Sequence, residues 1–444
     1  MTHPISRIAL FSLVLAACGG TVGVTPPTAD AAPDAMDASA LPDTASTLDS
    51  TTPADSGSDV VLSLDSGAAD SESDAVAEAS CSPDPSTDPH NCGWCGHDCR
   101  GAACTGGLCA PVVVVQAKQP HGIALDSQYV FWADQGYYGI MRADLDGSNV
   151  TTLTTDFSTV AFPTDLVVYG DDVYWDNFGS SSAPLAAVGR CPKSGCQGSS
   201  VALPYAGPFS YGTGVAVSDA GVFWSTLAIT AGVWPAIWRI DETEGGTSGP
   251  IVTDLFVGGP LQLDGDQLYF GARALNPGSM VVGRIGAASP LLPLDAGASS
   301  FDVLDQLADT YPLAPSIFED GTTVFFDDPY AGTLGSVPKD GLADAGVAQT
   351  LAMHLQGPGQ IVADATDLYF TLTGPDQSES GTHLFDDGAI VTCPKAGCPA
   401  SGPLVLATGL HGVSGYLALD ADYVWFTVGG DFNANDGTVM KVAR

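Results

Sequence analysis

Seven times the chain writes the same kind of triplet. It reads Val130-Phe131-Trp132, Val173-Tyr174-Trp175, Val222-Phe223-Trp224, Leu268-Tyr269-Phe270, Val324-Phe325-Phe326, Leu368-Tyr369-Phe370 and Val424-Trp425-Phe426. A short apolar strand precedes each copy, as in Gly122-Ile123-Ala124-Leu125, Gly214-Val215-Ala216-Val217 and Tyr416-Leu417-Ala418-Leu419, and an Asp- or Gly-rich turn joins the two. Such turns are hairpin punctuation. A third strand follows, as in Ile140-Met141-Arg142 or Val439-Met440-Lys441, and a fourth, as in Val150-Thr151-Thr152-Leu153 or Leu404-Val405-Leu406. Four strands every 40 to 55 residues, roughly, is the signature of a propeller blade. Apolar residues in succession, not alternation, fit sheets buried on both faces.

The expected fold is therefore an all-β, seven-bladed β-propeller over residues 111–444, six blades being the alternative count. The last repeat ends at Arg444 after three strands, and Pro111-Val112-Val113-Val114-Val115-Gln116 is available to supply the fourth. Pairing the two would close the ring and remove two exposed edges.

The rest of the chain differs in kind. Arg7 precedes an apolar run, Ile8 to Ala17, too short to span a bilayer but suited to a signal segment. Leu15-Ala16-Ala17-Cys18 resembles the lipobox of bacterial lipoproteins. The resemblance implies cleavage after residue 17 and lipid attachment at Cys18. Gly19 in place of Asp implies an outer-membrane or cell-surface destination, and the acyl chains of that family would anchor it stably. Residues 18–80 then read as a disordered linker. After Cys18 it holds twelve acidic residues, no Lys or Arg and no aromatic residue, so it has little with which to build a core. It would span roughly 45 Å as a random coil, and more with self-repulsion.

Six cysteines crowd residues 81–110: Cys81, Cys92, Cys95, Cys99, Cys104 and Cys109. Cys92, Cys95 and His97 have the look of zinc ligands. The signal segment instead implies an oxidising compartment, and an even count remains once Cys18 is set aside, so disulfides are expected. Six cysteines allow 15 connectivities, which sequence does not resolve. The patch resembles Cys-rich modules near the start of some bacterial secreted lipoproteins. Cys191-Pro192-Lys193-Ser194-Gly195-Cys196 and Cys393-Pro394-Lys395-Ala396-Gly397-Cys398 each read as a stapled turn.

Lys plus Arg number 13 against 51 Asp plus Glu, a formal net charge of -38. That excludes nucleic acid as a partner, since phosphate would be repelled. Arg142, Arg190, Arg239, Arg284 and Lys441 form a column on the third strands, where pairing with carboxylates between blades is expected. Asp144-Leu145-Asp146-Gly147-Ser148-Asn149 lacks the distal Glu of a calcium loop and reads as a turn. No Gly-x-Ser-x-Gly elbow, phosphate loop or His-Glu-x-x-His motif occurs.

Val130-Phe131-Trp132-Ala133-Asp134 resembles the YWTD repeats of low-density-lipoprotein-receptor propellers, and the general pattern is similar to NHL-type and streptogramin-lyase-like propellers. Those receptors have six blades, and the Asp is missing after Trp224 and Phe270. The loops entering the innermost strands place His121, Thr164, Thr213, Gly259, Pro315, Gly359 and Gly415 at one channel mouth, with His411 in the last loop. His121, Thr164, Thr213 and His411 are the candidate ligand-binding residues, and ring closure would bring His121 and His411 together. Two histidines could serve as base and acid. Resemblance to the lyases would require a His, a carboxylate and magnesium, and the remaining lyase residues have no counterpart by position.

The expected function is non-enzymatic binding of a glycan, peptide or protein at the propeller face. A propeller lyase or hydrolase is the alternative, and a structural envelope protein without a ligand the third. No catalytic residue, metal ligand or cofactor is assigned, though the central channel leaves room for a divalent cation. The membrane enters only through the lipid anchor.

Overall fold

The computed structural model describes residues 84–156, 160, 162–178, 188–196, 200–203, 211–227, 235–240, 248–274, 279–292, 301–307, 314–341, 347–374, 388–430 and 435–444. Signal segment, Cys18, linker and Cys81 lie outside them. Residues Cys81–Arg444 form one unit. Among the described residues the regular structure is all strand.

Seven antiparallel sheets are arranged as seven blades, each running outward from an innermost strand. Blade one comprises Pro120–Leu125, Tyr129–Asp134, Gly139–Asp144 and Thr151–Thr154. The innermost strands of blades two to seven are Pro163–Tyr169, Tyr211–Ser218, Gln262–Asp264, Ile317–Glu319, Pro358–Ala363 and Val413–Leu419. Blade four carries a fifth strand, Leu255–Val257, on the same partner. Blade seven takes its outer strand from the start of the domain, Val112 pairing with Lys441 and Gln116 with Thr438. The ring closes as the sequence implies, with seven blades.

The triplets are the second strands, and their burial explains their composition. Trp132, Trp175, Trp224, Phe270, Phe370, Trp425 and Phe426 are each at most 1% exposed. Three blades make room for the ring of the third triplet residue with a glycine on the neighbouring strand. Gly189 pairs with Trp175, Gly283 with Phe270 and Gly335 with Phe326. A Cβ at Gly189 would lie 2.3 Å from the Trp175 ring, so the aromatic surface itself covers the glycine backbone.

The third-strand cations tie adjacent blades, but mostly not through carboxylates. Arg142 of blade one donates to the Lys193 carbonyl of blade two at 2.6 Å. Arg239 reaches the Ala287 and Ser289 carbonyls of blade four, Arg284 the Lys339 carbonyl of blade five, and Lys441 the Leu145 carbonyl of blade one. Among the described residues Arg190 faces the Asp172 carboxylate at 4.0 Å, and Arg284 faces those of Asp302 at 3.2 Å and of Asp340 in blade five at 3.5 Å. The physical reason is the turn after each third strand: its carbonyls point at the seam and need donors.

Carboxylate pairing runs the other way around the ring. Lys193 returns to Asp126, Lys339 to Asp264, Lys395 to Asp320 and Arg444 to Asp364. Lys193 and Lys339 thus complete reciprocal clasps, accepting at the carbonyl and donating at the side chain. Lys193 and Lys395 are the lysines of the two Cys-Pro-Lys turns, closed by Cys191–Cys196 and Cys393–Cys398. Each turn also docks by its backbone, Cys196 N–H on the Leu153 carbonyl and Cys398 N–H on Leu351. The Asp144–Asn149 segment is a turn, its Asp144 carboxylate accepting from Ser148 and Asn149.

Disulfides Cys92–Cys104 and Cys99–Cys109 hold the N-terminal module, and Cys95 is disulfide-bonded too. Cys92, Cys99 and Cys109 lie close enough to suggest a metal cluster, but each sulfur is already in a disulfide. The module has no core of its own. Its cysteines and Trp94 join a cluster with Tyr369, Leu406, Phe426 and Val442 of blades six and seven. His97 is buried there, stacked on Trp94, with one ring nitrogen 2.6 Å from the Cys92 carbonyl.

Candidate functional site

The two ends of the propeller are built differently. At one end the first and second strands are joined by tight turns of near-uniform length, 126–128, 170–171, 219–220, 265–266, 320–322, 364–366 and 420–422. At the other, the second-to-third connections run from 135–138 and 329–332 to 178–187, 228–235, 373–387 and 429–437. The innermost strands begin at that variable end. Rigid sheets carrying loops of unequal length on one face are the usual layout of a recognition surface.

At that face the innermost strands of blades one, two, three, six and seven each slip register. The irregularities fall between Pro120 and Ile123, Pro163 and Leu166, Gly212 and Gly214, Pro358 and Ile361, and Val413 and Leu417. A bulge re-aims side chains and frees backbone groups from the ladder. Those groups need partners, and the residue following each triplet supplies several. Asp176, Ser225, Asp327, Thr371 and Thr427 hold this position and are at most 1% exposed. Asp176 accepts from the Asp165 amide at 2.7 Å and the Thr164 hydroxyl at 2.5 Å. Asp327 accepts from the Ser316 amide, and Thr427 of blade seven donates to the His121 carbonyl of blade one. Together they form a buried polar girdle.

His121, Tyr416, Asp165 and Asp176 are the densest chemistry in it. The rings of His121 and Tyr416 lie 5.0 Å apart across the seam of blades seven and one. His121 Nδ1 donates to the Thr164 carbonyl at 3.1 Å, which puts the lone pair on Nε2. Burial lowers the His121 pKa, and that bond only partly opposes it, so the imidazole is neutral at pH 7. Burial, and then the neighbouring Asp176, pushes Asp165 up to about 8. Burial also pushes Asp176 up to about 6, against the pull of Thr164 and of backbone amides. The two titrate as one system. Burial and then both carboxylates raise the Tyr416 phenol well above its ordinary value.

Of the residues expected at this mouth, His121 is half-buried among these groups. Thr164 is buried against Asp176. Thr213 bridges the Ser225 hydroxyl at 2.9 Å and the Val257 carbonyl of blade four at 2.7 Å. His411 is exposed in the turn between the outer strand of blade six and the first strand of blade seven. The ring packed on His121 is that of Tyr416. Sequence reasoning missed Asp165, Asp176 and Tyr416. The one usable signal was that Asp176, Asp327, Ser225, Thr371 and Thr427 share a column after the triplet.

The fold and this mouth define a seven-bladed β-propeller closed by an N-terminal strand. No known family matches the sequence. Among solved structures the chain is similar to a streptogramin B lyase, with TM-score 0.50 and 15% identity, covering 73% of this chain and 93% of that one. It also matches nidogen in a nidogen/laminin complex at TM-score 0.37 and 18% identity, covering 50% and 76%. A PQQ-bound aldose sugar dehydrogenase from Streptomyces coelicolor gives TM-score 0.42 and 12% identity, covering 75% and 98%. At such identity the likeness speaks to the fold alone.

Proposed function

We propose that this chain is a lipid-anchored protein of the bacterial outer membrane or cell surface, whose propeller binds a glycan, peptide or protein partner without turning it over. The observation that carries this reading is the asymmetry of the two faces: near-uniform turns at one end, connections from 135–138 to 373–387 at the other. Lys plus Arg number 13 against 51 Asp plus Glu, so the chain as a whole is strongly acidic. Complementary charge on the partner would favour encounter.

The test shortens 178–187, 228–235 and 373–387 to turns the length of 135–138 and screens both proteins against envelope glycans and peptides. We expect a ligand of the native chain to be lost by the shortened one, with the unfolding midpoint retained. Equal binding by both would move the site off this face. Anchoring is tested separately: Cys18→Ser should shift the chain from the membrane to the soluble fraction, and a membrane-bound variant would refute the anchor.

One observation favours an enzyme instead, namely a neutral His121 beside Tyr416 and a buried pair of carboxyls, Asp165 pushed up to about 8 and Asp176 to about 6. That reading requires a turnover that His121→Ala abolishes without unfolding the chain.

A further inference from the structure

Each blade ends in an outer strand whose free edge needs covering. Neighbouring segments cover most of them. Leu153 and Leu351 are the bulged residues in the outer strands of blades one and five. A bulge leaves its extra residue outside the ladder. In both blades the carbonyl so freed accepts from the last cysteine of the next blade's Cys-Pro-Lys turn, Cys196 N–H at 3.3 Å and Cys398 N–H at 2.9 Å. In blade three the Pro250 carbonyl takes the Leu292 N–H at 2.7 Å. Leu108–Cys109 of the disulfide module lies against Leu404–Leu410 of blade six, and Gly147 closes on the Val114 carbonyl of blade seven.

Blade four differs. Its outer strand, Asp302–Leu307, carries the same bulge at Leu304. The facing turn of blade five repeats the Cys-Pro-Lys turn without its staple. Gly341 N–H donates to the Pro338 carbonyl as Gly195 does to Pro192, but Val337 and Leu342 stand where the other turns have cysteine. Among the described residues no seam donor reaches the Leu304 carbonyl. A cleft of about 530 Å³ lies beside the strand, lined by Arg284, Phe301, Asp302, Asp305, Asp340 and Gly341 among others. Three carboxyls there stand against one guanidinium, and the Asp302 and Asp340 side chains are 69% and 97% exposed. Val303 on the same edge is 51% exposed.

An open strand edge with an unused carbonyl and an exposed apolar side chain suits an extended chain added as a further strand. Main-chain hydrogen bonds then supply affinity and alternate side chains selectivity. The charge of the cleft decides which chain: lysine or arginine is drawn to it and an acidic segment repelled. We propose that this edge binds an extended basic peptide segment of a partner protein, whose backbone N–H takes the Leu304 carbonyl as the stapled turns take those of Leu153 and Leu351. The site lies in the seam of blades four and five, apart from the variable face, and stands without the reading given above for that face.

The experiment follows the fluorescence anisotropy of a labelled hexapeptide of alternating lysine and valine titrated with the full, oxidised chain. The peptide should bind, and the same peptide methylated on alternate backbone nitrogens should bind at least about tenfold more weakly, since it keeps its charge but cannot complete a ladder. Val337→Cys together with Leu342→Cys rebuilds the stapled turn and leaves every carboxylate in place; it should abolish binding by occupying the edge. Asp340→Lys, at a side chain too exposed to matter to the fold, should weaken binding by about tenfold. Failure of the peptide to bind would overturn the site. So would equal binding of the methylated peptide, or binding unchanged in the doubly substituted chain, because either would reduce the attraction to the general acidity of the protein.

Discussion

Burial draws the Asp165 and Asp176 carboxyls toward their protonated forms, and the consequence for stability has a definite sign. Unfolded, both would titrate near 4, roughly. Folded, they titrate at about 8 and about 6. The folded chain therefore holds extra protons between these limits. The stability this supplies is complete below the unfolded values and lost as pH rises through the folded ones. Asp126, Asp320 and Asp364 behave oppositely. Burial raises each, but hydrogen bonds, with Lys193, Lys395 and Arg444 beside them, more than offset it. Their stability is present above the unfolded value and lost as pH falls through the lowered one. The midpoint should decline between about pH 4 and about pH 8, and Asp176→Asn should flatten that decline. Parallel curves for the two proteins, followed by scanning fluorimetry, would remove the pair as its cause.

At the scale of elements, the Cys-Pro-Lys turn is a seam device. Its disulfide spans a sequence separation of 5 in both copies. Closing so short a loop is worth about 2 kcal/mol in the chain-entropy account. Replacing Cys191 and Cys196 with Ala should lower stability by about that amount. Lys193→Met should cost about 1 kcal/mol, since the Asp126 pair is only partly buried. The two changes should be non-additive, because the staple positions the lysine; strict additivity in denaturant titrations would show that it does not. The turn and its cysteines were legible in the sequence, as were the seven triplets, because each repeats in register, and the closing strand was legible from the strand count of the last repeat. The cation column was legible too, but not its partners, since a carbonyl acceptor has no residue type to read. The bulges that aim His121, Asp165 and Tyr416 were hidden for a related reason: they arise where neighbouring innermost strands crowd each other. Gly122, whose Cβ would lie 2.6 Å from the Thr164 carbonyl, records that crowding only once the blades are assembled. His411 drew attention by its chemistry, whereas Tyr416 sits inside a strand pattern and drew none.

For the whole molecule, the decisive contact is between the ends of the domain. Val112–Gln116 completes blade seven, and the disulfide module just before it packs on blades six and seven. The module adds Arg100 to Asp422 at 2.9 Å and His97 near the Ala443 carbonyl at 3.4 Å. Closure of this kind joins residues far apart in sequence, so its loop-closure entropy is met only when all seven blades are in place. Its loss would expose the third strand of blade seven as an unpaired edge and uncover part of the Phe426 and Val442 cluster. A chain lacking 81–116 should therefore unfold at a lower midpoint, over a broader transition, and aggregate on heating. A chain lacking 19–80 should unfold at the native midpoint, because twelve acidic residues with no aromatic partner have nothing to contribute to a core. Calorimetry on the two truncated chains separates the cases. If removal of 81–116 left a sharp transition at the native temperature, the ring would owe its stability to the seams between blades one and seven and not to its closing strand.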